Sequence, residues 1–176
     1  MVAYHYSNII LVATFKKRRD QHRIATYNSI TKRLNNRGLT TDLQILYNKS
    51  SQNYKDTIKY KWGVDFQLVP PDIHRRNAAE RKIRNFKAYF LAVLSGVAPH
   101  FPQLLWDLLI VQTEMTLNFI HQSTFKRTIS AWECFAGPFQ YDATPLGPLG
   151  MKIIIHKKAS RSHSWDFRET YGWSVG

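Results

Sequence analysis

Cysteine is almost absent from this sequence. Cys134 stands alone, so the chain can form neither an internal disulfide nor a cysteine metal cluster, and a reducing, intracellular compartment is expected. Acidic residues are scarce too: 12 Asp and Glu face 25 Lys and Arg, for a formal charge of +13. Such an excess attracts polyanions, and nucleic acid is the first candidate partner. Long apolar runs are also lacking. Ala88 to Ala98 is too short to span a bilayer and Asp107 interrupts the next run, so no membrane partner is expected. The first residues lack the basic-then-apolar order of a signal peptide. The seven histidines are scattered, without the close pairing of a zinc site.

What is present is concentrated in Val69 to Lys87. A strand-like run ends at Pro70-Pro71, a polar loop follows, and a basic helix begins, with Asp72 or Asn77 able to cap it. Ala79, Ile83, Phe86, Phe90 and Val93 recur at steps of four and three, the stripe of a core-facing helix. Arg75, Arg76, Arg81, Lys82, Arg84 and Lys87 surround the single acid Glu80. Cations beside a helix N-terminus suit phosphate contact, and the run from Lys16 and Lys17 to Arg19 could extend that surface; the alternative is a solvated basic face. Glu80 also has a local role open to it, since it follows Asn77 by three residues, where a Glu can return a bond to the cap's own N–H.

Along the chain, Val2 to Phe15 reads as two strands around a Ser7-Asn8 turn, and opening almost inside a strand suggests a truncated start. Ile24, Tyr27, Ile30 and Leu34 predict a helix from Asp20 to Asn36, stopped by Gly38. Leu43 to Tyr47 reads as a buried strand. Ser50 or Ser51 caps a second helix ending at Gly63, and Val64 to Val69 is another strand. The basic helix runs to about Gly96, and one long helix is expected from Pro102 to Gln122, its Trp106, Leu109, Met115 and Phe119 packing inward. From Thr128 the Gly-Pro pairs make a loop-rich connector, with Met151 to Lys157 a strand and Trp165 to Val175 extended. The order implies an α/β layer structure with a mixed sheet over residues 1–128 and a small β-containing extension over 129–176.

Asn77-Ala78-Ala79-Glu80-Arg81 after Pro70-Pro71, Leu46-Tyr47-Asn48, Tyr4-His5-Tyr6-Ser7-Asn8, and Trp106 with Leu117-Asn118 occur in the order and spacing of a known family. Ser130-Ala131-Trp132-Glu133, Thr144-Pro145-Leu146-Gly147 and Met151 to His156 continue the likeness across nearly the whole chain. The sequence resembles the integrase core of copia-type long-terminal-repeat retrotransposons, of the ribonuclease-H-like superfamily. That resemblance implies a ribonuclease-H-like fold lacking its first strand. It also implies DNA strand transfer as the ancestral activity, using three carboxylates and two Mg²⁺ or Mn²⁺ ions, and a nuclear location if the role is kept.

The chain departs from the family at the carboxylates. The first catalytic Asp of the family belongs to a strand preceding Met1, and the second corresponds to Tyr47, whose phenol (ordinary pKa about 10) is neutral at pH 7. Lys49 adds positive charge there, and Asp42, five residues before Tyr47, points to the other strand face. Glu80 alone remains as a catalytic and metal-binding candidate. The expected function is a catalytically inactive integrase-core-like protein that binds DNA. The alternatives are an active metal-dependent strand transferase or nuclease, and a module that pairs as a homodimer through the Pro102–Gln122 helix.

Overall fold

A computed structural model describes residues 2–3, 7–15, 17, 19–46, 50–69, 78–144, 146–157 and 167–176. Helices and short strands alternate in it, a mixed α/β architecture. An antiparallel hairpin opens the chain: β1 (Val2–Ala3) pairs with β2 (Ile10–Leu11). Asn8 sits at φ 62°, a left-handed conformation that its short polar side chain tolerates. Strand alternation then sends β2 side chains to two opposite cores. Ile9 and Leu11 pack with Ile30, Leu34 and Phe135, while Ile10 packs with Phe86, Ile110 and Leu117.

Helix α1 (Asp20–Asn35) covers the first of these faces. Its buried residues, Tyr27, Ile30, Thr31 and Leu34, fall on the stripe the spacing predicts. Gly38, at φ 69°, ends it while Leu39 N–H reaches back to Leu34 C=O at 3.1 Å, a bond that closes the last turn. Next, β3 (Leu43–Leu46) and β4 (Asp65–Leu68) pair in parallel. Between them lie α2 (Gln52–Asp56) and a wider π turn (Thr57–Lys61). Ser51 Oγ accepts from Tyr54 N–H, as the capping pattern predicts. This unit packs through Leu46, Ile58 and Val64 against Tyr27 of α1.

Helix α3 (Ala78–Ser95) and helix α4 (Leu109–Ile120) cover the other face of β2. The single helix expected from Pro102 to Gln122 is instead a 3₁₀ segment (Gln103–Leu108) running into α4, which ends at Ile120. Leu105 N–H bonds to Pro102 C=O, three residues back. Leu104, Trp106 and Leu108 are all exposed, so packing does not select the 3.6-residue period there. A short α5 (Ala131–Ala136) lies within the expected connector, and β5 (Lys152–His156) pairs antiparallel with β6 (Glu169–Trp173). This last part packs onto the rest. Gly150, at φ 70°, lies so close to Val97 that any Cβ there would sit 2.3 Å from its side chain, and Phe101 meets Trp173 edge-on at 5.6 Å.

Two further expectations need correction. Among the described residues the strands form three separate two-stranded sheets rather than one mixed sheet. At the outer edge of β2 the cause is visible: Asn118 of α4 takes both the N–H and the C=O of Ile10 at 2.8 Å, and Glu114 takes the N–H of Val12 at 2.5 Å. Those side chains occupy the positions where another strand would bond. Nor is β3 buried on both faces, since Leu46 is covered while Leu43 and Ile45 are exposed. Among the described residues, no helix is long and apolar enough to cross a membrane.

Candidate nucleic-acid interface

Helix α3 positions most of the candidate residues that can be placed. Its apolar side is held by Phe86, 7% exposed in the core with Ile10, Ile110 and Leu117, and by Phe90, stacked on Phe86 at 5.9 Å. That anchoring turns the opposite side outward, where Arg81, Arg84 and Lys87 are exposed at successive three-residue steps. Glu80 is half-buried beside them. Lys17 is exposed; Lys16, Tyr47, Arg75 and Arg76 lie outside the described residues, as do Asp72, His74 and Asn77. The basic stripe therefore comprises Arg81, Arg84 and Lys87, with side chains long enough to reach phosphates and apolar stems that rest on the helix.

Lys82 departs from the stripe. On a helix it lies about 200° around from Arg84, and it turns inward to donate its Nζ proton to Asn8 Oδ1. Burial, with the neighbouring charge of Arg81, holds its pKa below the usual lysine value. His121, at the end of α4, is likewise held below its ordinary value, first by burial and then by the charge of Lys82. Its Nδ1 is buried with no hydrogen-bond partner.

The carboxylates do not assemble. Among the described residues no group of three or more His, Cys, Asp or Glu is placed to hold a metal ion. Glu114 is buried, but its two oxygens are committed to Arg33, at 2.5 Å, and to the Val12 N–H. The described residues thus do not bring together the several anionic ligands, converging within a few ångströms, that a pair of divalent cations needs.

Some structural roles escaped the sequence reading. Glu114, and Asn118 of the Leu117-Asn118 motif, lie among α4's apolar residues, and nothing in the local pattern marks them as bonding to a strand 102 to 108 positions away. Helix α5 had a local signal, Ser130 followed three residues later by Glu133, and Ser130 Oγ does accept from Glu133 N–H at 3.0 Å. Of the residues expected inside, Leu109 is fully buried and Phe119 packs against Trp132 and Phe139, while Trp106 is 44% exposed against Phe90. Cys134 is a half-buried free thiol. No protein-family model, no curated protein and no solved structure matches this chain.

Proposed function

We propose that this protein is an integrase-core-like, ribonuclease-H-like module of retroelement ancestry that binds nucleic acid and does not catalyse strand transfer. The observation that carries the binding half is the outward stripe of Arg81, Arg84 and Lys87 on a helix whose other side is locked into the core. A rigid element bearing spaced cations neutralises phosphates and releases their counterions. The fold half is supported by the antiparallel β1–β2 pair and the parallel β3–β4 pair. The loss of catalysis rests on the chemistry of the matched positions: Tyr47 stands where the family has an Asp, which leaves Glu80 without the carboxylate partners that two-metal chemistry needs.

The test is fluorescence anisotropy with a short DNA duplex over a range of salt. Affinity is expected to fall steeply with salt, and replacing Arg81, Arg84 and Lys87 together by Gln should reduce the log–log slope by about 0.9 per lost phosphate contact. Binding that ignores salt, or a triple variant that binds as the parent does, refutes the reading. Mg²⁺- or Mn²⁺-dependent processing of DNA ends, abolished in Glu80→Gln, would establish the active alternative instead.

A second reading has its own observation. Leu104, Leu108 and Val111 are exposed along the 3₁₀ segment and the start of α4, with Leu104 91% and Val111 65% accessible. Exposed apolar residues of that kind suit pairing with a second copy of the chain, measurable by light scattering.

A further inference from the structure

Next to Lys82 lies a cavity of about 460 Å³ between the β1–β2 turn and the loop that follows α4. Asn8, His121, Ser123 and Arg127 contribute to its lining, and none of the described residues that line it carries a carboxylate. We propose that this cavity is a binding site for a phosphate group, separate from the outward stripe on α3.

The walls are preformed. Asn8 Nδ2 donates to Gln122 C=O at 2.9 Å, which ties the hairpin turn to the loop. The loop is closed on itself: Ser123 N–H bonds to Ile129 C=O at 3.0 Å, Ala131 N–H bonds to His121 C=O at 2.7 Å, and Ser123 Oγ accepts from the N–H groups of Phe125 and Lys126. A site built this way does not have to order a flexible loop when a ligand enters.

Charge supplies the selectivity. Arg127 lines the cavity, and Lys82 donates to the amide oxygen of Asn8, a residue of its wall. Two cations, one of them partly desolvated, raise the local potential where the dielectric is lower than in bulk water. The fork of an arginine matches two oxygens of a phosphate. His121 adds an imidazole ring to the wall, which places a titratable reporter group at the cavity.

The phosphate could be a free ion or part of a nucleic-acid backbone, and the experiment separates these sources. Inorganic phosphate is titrated into the protein at constant ionic strength with chloride as the balancing ion, while the His121 imidazole signal, assigned by its loss in His121→Gln, is followed by NMR. A saturable shift is expected. Arg127→Gln should weaken it about tenfold, the loss of one charge-assisted hydrogen bond, and Arg84→Gln on the outward stripe should leave it unchanged. Lys82→Gln should also weaken it, and Arg127, being exposed, provides the decisive variant if Lys82→Gln fails to fold. Competition by a short DNA duplex assigns the site to a backbone phosphate. Lack of competition assigns it to a free phosphate, and either upholds the proposal. No saturable shift, or a shift equally strong in Arg127→Gln, overturns it. DNA binding by the parent protein is read separately by anisotropy, so this proposal can fail while the interface on α3 stands, and the converse.

Discussion

Replacing Asn118 by Leu removes the clasp between α4 and β2 without opening a hole, because the two side chains are of similar size. Asn118 is 0% exposed and holds both the N–H and the C=O of Ile10 at 2.8 Å. In Asn118→Leu both backbone groups lose their partner beside a cluster in which Ile110 and Leu117 pack with Ile10. Each buried group left unsatisfied costs about 1–3 kcal/mol. The added apolar area returns about 1 kcal/mol. For the two groups together the net loss is therefore about 1–5 kcal/mol, a large share of the roughly 5–15 kcal/mol that holds a domain together. Urea unfolding followed by circular dichroism measures it, and amide hydrogen exchange locates it: Ile10 N–H should lose protection while the α1 interior keeps its own. Asn118→Asp separates the two bonds, since it keeps an acceptor for Ile10 N–H, loses the donor to Ile10 C=O and buries a charge. Because Glu114 holds Val12 on the same edge, Asn118→Leu and Glu114→Gln should be non-additive. A change below about 0.5 kcal/mol in Asn118→Leu, with Ile10 exchange unaltered, refutes the clasp.

Two other outcomes follow from the geometry. If the exposed residues Leu104, Leu108 and Val111 pair two copies, Leu108→Glu with Val111→Glu should yield a monomer at concentrations where the parent is a dimer by light scattering; a parent that stays monomeric at high concentration removes that reading. Burial, reinforced by neighbouring Tyr27, pushes the Tyr54 hydroxyl up to about 12 from its ordinary 10.0. The folded chain keeps this proton between those values while the unfolded chain loses it, so stability should fall as pH rises from 10 to 12. Tyr54→Phe should flatten that fall and delete a tyrosinate that titrates above the ordinary range from the ultraviolet spectrum; an unchanged alkaline limb contradicts the assignment.

The sequence by itself determined the elements whose cause is local. The periodicity of Tyr27, Ile30 and Leu34, the stop at Gly38, the cap at Ser51, and the run of Lys152 to His156 act over a few residues, and each element formed where those signals lie. The core-facing stripe of α3 was legible for the same reason, and with it the outward direction of Arg81, Arg84 and Lys87. Only the tertiary structure decided what depends on distant partners. Sequence counted Lys82 as one more cation of a basic run, and its contact with Asn8, 74 positions earlier, turned it inward and made a second site. Polar residues of α4 are buried because a strand edge needed bonds, and that need was not visible in α4 itself. The division of the described strands into three pairs follows the same logic. Pairing is settled by which backbone groups remain open after side chains such as Asn118 have claimed theirs, and that is a property of the assembled chain.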